Sequence, residues 1–135
     1  MHDAYKEFIH GSQAIIPQGI EDIEEFAFWE CSDLTSIEIP DSVKKIGESA
    51  FNGCSGLTSI KIPNSVTELG NGVFQHCSGL TSIQIPNSIT KIPENAFWGC
   101  TGLTSIEIPD SVTEFGENRF WGMHQLDKRK APRQS

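Results

Sequence analysis

The sequence predicts a repeat solenoid of about five to six coils, in which short β-strands of successive coils pair in parallel. Three observations support this fold class. A seven-residue block recurs every 23 residues, a second apolar block follows it at a fixed distance, and both blocks decay towards the two ends of the chain. Positions that lie 23 residues apart form what we call a column.

The first block predicts a strand. It runs from Leu34 to Pro40 and reads Leu-Thr-Ser-Ile-Glu-Ile-Pro. Ile37 and Ile39 alternate with polar residues, which is the period of a half-buried strand. The proline ends the strand because it cannot donate to the ladder. The block returns at residues 57–63, 80–86 and 103–109.

The second block predicts the rest of each coil. A second short extended segment covers Val43 to Ile46, and Ala50-Phe51 forms a single helical turn that Gly53 ends. One such coil cannot bury its own apolar side, so equivalent columns stack into a continuous core. In one coil the predicted core residues are Leu57, Ile60, Ile62, Val66, Leu69, Val73, Phe74 and Cys77.

Residues 1–135 are predicted to form one domain. Residues 2–16 are its N-terminal cap, with Tyr5 and Phe8 in the Phe and Cys columns. Residues 17–33 form a degenerate repeat, and residues 34–123 form four repeats of 23 residues. Residues 124–135 form either a C-terminal cap or a disordered basic tail.

Charge and hydropathy limit the classes of partner. The net charge of −8 divides unevenly, because four of the ten basic residues lie at positions 128–133 and all eighteen acids lie before them. An acidic body repels phosphate backbones, which argues against nucleic-acid binding. No run of about 18 apolar residues predicts membrane insertion. The first ten residues lack the basic start and apolar stretch of a signal peptide, so the compartment stays open.

The repeat resembles a known family. The combination Leu-Thr-Ser-Ile-x-Ile-Pro-x-Ser-Val-Thr-x-Ile-Gly-x-x-Ala-Phe-x-Gly-Cys resembles the BspA-like (Treponema pallidum) class of leucine-rich repeats, closely over residues 34–122 and loosely over 11–33. Unlike the ordinary leucine-rich pattern, Val43 follows the turn serine directly and no asparagine ladder occupies that turn. The resemblance implies a right-handed, curved coil with the parallel sheet on its concave face. It also implies protein binding, often adhesion, a secreted or surface-bound location, and no catalytic residues.

The four cysteines occupy one column, which argues against metal binding. A zinc site needs its sulfurs about 2.3 Å from one ion, whereas this row is spaced at about 4.8 Å per coil. Disulfides between neighbours are barely possible by Cα distance, but the side chains would run side by side. We therefore predict buried free thiols, with no metal, cofactor or disulfide. The residues are Cys31, Cys54, Cys77 and Cys100.

The sequence offers no catalytic constellation. The four histidines share no column, and none has a serine or cysteine partner at a suggestive spacing. A triad needs a histidine held by a carboxylate next to a nucleophile. The sequence therefore predicts that the chain is not an enzyme.

Two surface columns are the candidates for recognition. The strand-face column differs in charge from coil to coil, which fits either a recognition surface or unconstrained solvent positions; its residues are Glu38, Lys61, Gln84 and Glu107. The second column contains all three tryptophans, which are enriched at interaction hot spots but could equally complete local packing; they are Trp29, Trp98 and Trp121. Trp98 and Trp121 lie in adjacent coils and could form one aromatic patch.

These observations predict a non-enzymatic module that binds a protein partner of unknown identity. The alternative is a structural solenoid, which self-associates through its ends into homo-oligomers or is one slice of a longer repeat protein. Solution size separates the two, because end-to-end dimers would favour the structural role.

Overall fold

The computed structural model describes residues 3–117 and confirms the predicted solenoid. The described chain makes about four turns, and strands of successive coils pair in parallel. It begins with a 3-10 helix, Asp3–Phe8. Ten short strands follow in the described residues: β1 Ile9–His10, β2 Gln13–Ile15, β3 Asp22–Ile23, β4 Ser36–Glu38, β5 Lys45–Ile46, β6 Glu68–Leu69, β7 Ser82–Gln84, β8 Lys91–Ile92, β9 Ser105–Glu107 and β10 Glu114–Phe115.

The first block of each repeat builds the first ladder. In it β2 pairs with β4, β7 pairs with β9, and an isolated bridge joins Lys61 to Gln84. Every parallel pair joins residues 23 positions apart, as the repeat predicts. The central residue of each three-residue strand points inward and is buried, whereas its two neighbours stand towards solvent in β2, β4 and β7.

The second extended segment builds a second ladder, in which β3 pairs with β5, β5 with β6, and β8 with β10. A glycine amide follows the strand and donates to the preceding coil: Gly47 to the carbonyl of Ile23 and Gly70 to that of Ile46, both at 2.8 Å. Pro93 occupies this column in the next coil and has no N–H to donate. The strand pairing accordingly stops between β6 and β8.

The predicted helical turn at Ala50-Phe51 is wrong. Alternate amides bond between coils: Phe51 N donates to the Val73 carbonyl at 3.0 Å and Gly53 N to the Gln75 carbonyl at 2.8 Å. The amides between them bond locally, as Ala50 N does to Gly47 O at 3.2 Å. An α-helix uses its interior amides within itself, so bonding between coils replaces the helix with consecutive turns. The only helix in residues 3–117 is therefore the 3-10 helix.

These turns need two residues with left-handed backbone in each coil. The first of the two columns has φ near +60°, and its members are Phe26, Ser49, Gly72 and Asn95. The second has φ from 57° to 83°, and its members are Glu30, Gly53, His76 and Gly99. Glycine and asparagine adopt this conformation readily, whereas other side chains are crowded against the backbone.

The core consists of the predicted columns. All eight side chains predicted for the coil from Leu57 to Cys77 are buried. Phenylalanine rings form a stack through the middle, with centroids 5.6 Å apart between Phe28 and Phe51 and 5.8 Å apart between Phe51 and Phe74. Their planes differ by 3° and 7° respectively. Identical side chains in successive coils therefore pack on one another, which makes the core continuous along the solenoid.

The described N-terminal edge is closed in two ways. Strand β1 pairs antiparallel with β2 and covers the outer edge of the first ladder. Tyr5 covers the second ladder: its ring lies 5.3 Å from that of Phe28, and its hydroxyl accepts from Glu24 N at 3.0 Å and donates to Asp22 O at 3.4 Å. Burial raises the pKa of Tyr5. The tyrosine thus takes the place of a preceding coil.

Candidate binding surfaces

The strand-face column is an exposed row on the first ladder. Glu38, Lys61, Gln84 and Glu107 are all exposed, and strand pairing places Gln84 beside both Lys61 and Glu107. Because each side chain follows a buried isoleucine, strand alternation turns it outward. The row presents a different charge in successive coils.

Shallow grooves border this row. One, of about 570 Å³, is lined by Lys61, Gln84 and the asparagines of two turns, Asn64 and Asn87. Another, of about 430 Å³, is lined by Glu38, Lys61 and the prolines that end two successive first blocks, Pro40 and Pro63. Lys61 belongs to both grooves, so it is the central charged side chain of the row.

The row begins one coil earlier than the sequence indicated. Ile15 pairs with Glu38 across β2 and β4, and 43% of its surface is exposed. We define the strand-face row as Ile15, Glu38, Lys61, Gln84 and Glu107. Ile15 was missed because Ile15-Ile16 reads as a degenerate core pair; only the 23-residue register places Ile16 in the core column and Ile15 outside it.

The tryptophan column does not form one surface in the described residues. Trp29 is 41% exposed, whereas Trp98 is half-buried with its ring 6.0 Å from that of His76. Asn52 and Gln75 separate the two tryptophans, which at about 4.8 Å per coil places them about 14 Å apart. Trp121, and with it the predicted patch of Trp98 and Trp121, lies outside the described residues.

The cysteine column lines up as the repeat predicts. The thiols of Cys54, Cys77 and Cys100 donate to the carbonyl of the phenylalanine in the preceding coil, at 3.0–3.1 Å. Burial raises the pKa of Cys54 and Cys100 to about 12 and that of Cys77 well above its usual value. These thiols stay protonated at neutral pH, and the thiolate is the form that binds metals and attacks electrophiles.

The first cysteine differs from the others. Cys31 is half-buried, and its sulfur lies 4.0 Å from the carbonyl oxygen of Trp29. Burial also raises the pKa of Cys31. All four cysteines are free thiols, and residues 3–117 hold no cluster of three or more histidine, cysteine or acidic side chains suited to a metal ion.

The histidines have structural surroundings where they are described. His76 occupies a left-handed position with φ of 60°, and its ring lies directly over Gly99, where a Cβ would stand 2.3 Å from Nδ1. Residues 2 and 124, the sites of two further histidines, lie outside the described part. Within residues 3–117 no helix has the length and apolar character needed to cross a bilayer.

Solved structures share this architecture. A leucine-rich repeat protein of T. pallidum aligns with a TM-score of 0.68 at 23% identity, covering 89% of this chain and 80% of that one. A leucine-rich cell surface protein of Faecalibacterium prausnitzii aligns at 0.52 and 22% identity, covering 86% and 52%. The pneumococcal vaccine antigen PcpA aligns at 0.71 and 23%, covering 85% and 29%. The chain thus spans most of the treponemal protein and half or less of the other two.

Sequence comparison identifies the family. None of the curated proteins compared with the chain matches it significantly. The model of the BspA-type leucine-rich repeat region matches residues 2–127 in six copies. Proteins built from this repeat are typically non-enzymatic. Since the match covers nearly the whole sequence and the solenoid agrees with it, the chain belongs to the BspA-type leucine-rich repeat family.

Proposed function

We propose that the chain is a non-enzymatic protein-binding module that contacts its partner through the strand-face row. The observation that carries this proposal is the contrast between neighbouring columns on the first ladder. The isoleucine column beside the row is occupied by Ile37, Ile60, Ile83 and Ile106 and is buried in every coil. The row itself is exposed and carries a different side chain in almost every coil.

Charge favours a protein partner over a nucleic acid. The row contains two acidic side chains, one basic, one amide and one aliphatic, so it has no continuous positive stripe. Phosphate backbones need such a stripe, whereas protein interfaces combine apolar, polar and charged contacts. Ile15 supplies an exposed apolar contact at one end, and Lys61 supplies the positive charge at the centre.

The similar structures are consistent with this role. One is described as a leucine-rich cell surface protein and another as a pneumococcal vaccine antigen. Both descriptions fit proteins that meet other molecules outside the cell. For this chain, surface location and adhesion belong to the proposal.

The competing role, end-to-end self-association, meets an obstacle at the described end. Strand β1 already occupies the outer edge of β2, and Tyr5 bonds to the outer backbone of β3. A second copy could stack there only after these contacts were broken. We therefore favour binding through the side of the solenoid over stacking through its N-terminal end.

The experiment captures a partner on the immobilised parent chain, purifies that partner and measures its dissociation constant with variants. We expect Lys61→Glu to weaken binding about tenfold or more, the magnitude of a central charged contact. Trp98→Ala tests the tryptophan column in the same assay. Lys44→Glu is the matched control, because Lys44 is exposed on the second ladder and forms only a long ion pair with Glu21.

The proposal fails if Lys61→Glu binds the partner as tightly as the parent does. It also fails if Lys44→Glu weakens binding equally, since this would indicate a general charge effect. Thermal unfolding of each variant verifies that the solenoid is intact.

A further inference from the structure

Two aromatic side chains are exposed together at the first coil. Phe26 and Trp29 are each 41% exposed, and their rings meet edge to face with centroids 6.3 Å apart. Both follow β3 directly, on the second ladder's side of the coil. They therefore lie on a different ladder from the strand-face row.

The other coils carry small or polar side chains at these positions. Phe26 shares its column with Ser49, Gly72 and Asn95, and Trp29 shares its column with Asn52 and Gln75. Phe26 also adopts a left-handed backbone with φ of 59°, which is unfavourable for a bulky side chain. The fold requires neither the exposed ring nor this residue type at the position.

A groove of about 910 Å³ extends from Phe26 across the second ladder, and Gly47, Gly70 and Pro93 form part of its lining. Its charged lining consists of five carboxylates and two ammonium groups, a net of three negative charges: Asp22, Glu24, Glu25, Glu48, Glu68, Lys45 and Lys91. Lys45 is paired with Glu68 at 3.1 Å, and that pairing raises its pKa. The groove is therefore negative, with an aromatic pair at one end.

We propose that this second-ladder groove binds an extended, arginine-rich segment of a partner protein, with an arginine side chain against Phe26 and Trp29. A guanidinium group stacks on aromatic faces and pairs with carboxylates at the same time. Glu24 and Glu25 directly precede Phe26, and Glu48 lies one coil further along the groove. Aromatic contact and negative charge together select a cationic, planar side chain, which arginine offers and lysine does not.

This surface is independent of the strand-face row, so either proposal can fail while the other holds. The chain itself carries basic residues at 128–133, which could in principle enter the groove of another copy. We assign the groove to a partner protein because an acidic body disfavours association between two copies. Self-association is then an outcome that the experiment distinguishes.

The experiment measures fluorescence anisotropy of a labelled oligoarginine peptide with the full chain at physiological ionic strength, beside an oligolysine peptide of equal length. We expect arginine to bind about three- to tenfold more tightly than lysine, the range of a cation–π contact. Phe26→Asn and Trp29→Gln, which install residue types found in the same columns, should each remove this preference. Because asparagine tolerates a left-handed backbone, Phe26→Asn should melt at or above the parent's temperature while binding more weakly.

A charge-matched pair of double variants tests the location. Glu25→Lys with Glu48→Lys should weaken oligoarginine binding about tenfold or more. Glu38→Lys with Glu107→Lys changes the net charge equally on the other ladder and should leave binding within about twofold, since distant charges are screened.

Three results would overturn the proposal. Equal binding of both peptides to the parent would remove the role of the aromatic pair. Equal losses in the two double variants would show that only net charge matters. Light scattering that shows concentration-dependent self-association of the parent, abolished by Lys128→Glu with Arg129→Glu, would make the chain's own basic segment the occupant.

Discussion

The first coil, residues 17–33, and the coil after it, residues 40–56, use the same columns in different surroundings. Phe28 and Phe51 are both fully buried in the ring stack. Elsewhere the two coils differ: Cys31 is half-buried where Cys54 is buried, and Glu24 stands where Gly47 does. The first coil meets the N-terminal segment, residues 3–16, where the second meets a regular coil.

This contrast separates what the stack requires from what a single coil can vary. Core columns keep their residue types even in the first coil, because each side chain packs on its equivalent in the next one. The glycine column keeps glycine only where another coil's backbone lies against it: a Cβ on Gly47 would stand 2.7 Å from Glu25 N. Where no regular coil precedes, the same column carries a glutamate.

The ring stack gives the largest predicted effect. Phe51→Ala removes a ring that stacks on Phe28 on one side and Phe74 on the other. We expect it to lower the free energy of unfolding by about 3 to 5 kcal/mol, the cost of truncating a buried aromatic. Trp29→Ala, on the exposed part of the first coil, should cost about 0.5 kcal/mol or less. Urea unfolding of both variants measures the difference, and similar losses would contradict the distinction between core and surface columns.

The glycine column gives the next effect. A Cβ on Gly70 would lie 2.3 Å from Glu48 N, and both atoms belong to backbone that cannot rotate away. Gly70→Ala must therefore separate two coils, and we expect a loss of about 2 to 3 kcal/mol in unfolding free energy. Glu24→Ala, in the same column of the first coil, is the control and should change it by about 0.5 kcal/mol or less. If Gly70→Ala is as stable as the parent, the coils are less closely packed than the structure indicates.

Sequence predicted the columns well because they repeat. The core residues of each coil, the parallel register and the cysteine row all follow from the 23-residue spacing alone. The turns after the second ladder were predicted incorrectly, because Ala-Phe followed by glycine suits both a helical turn and a left-handed turn. Only the bonds between coils decide between these. The interruption of the ladder at Pro93 could have been predicted, since proline stands in a column of amide donors.

The surfaces were predicted less completely. The strand-face row was identified from its variation, but Ile15 and Phe26 were not recognised as exposed. Apolar residues in a degenerate repeat look like core residues until their register is known. The contact of Tyr5 with Phe28 follows the predicted register, but the bonds of its hydroxyl to a strand edge depend on three-dimensional packing that no spacing encodes.

The thiols contrast the two coils through pH. Burial raises the pKa of Cys54 to about 12, whereas an unfolded thiol titrates near about 8.5. The folded state therefore holds its proton more tightly, so stability present in full below the unfolded value is lost as pH rises towards 12. The slope is about 1.4 kcal/mol per pH unit for each such thiol.

Urea unfolding between about pH 8 and about pH 11, under reducing conditions, measures this slope. Cys54→Ala should make it shallower by nearly the full value for one thiol. Cys31→Ala, at the half-buried position, should reduce it less. Identical slopes for the two variants would mean that the first coil buries its thiol as completely as the second does.

The edge tyrosine gives the smallest effect and the most local one. Tyr5→Phe keeps the ring against Phe28 but removes the hydroxyl that accepts from Glu24 N and donates to Asp22 O. Because these backbone groups lie at an edge that water can reach, we expect a loss of about 1 kcal/mol. Amide hydrogen exchange should show faster exchange at Glu24, while Gly47, bonded to Ile23 O at 2.8 Å, keeps its protection relative to the whole chain. Uniform loss at both amides would mean that the first coil has no separate stability and that the stack opens as one unit.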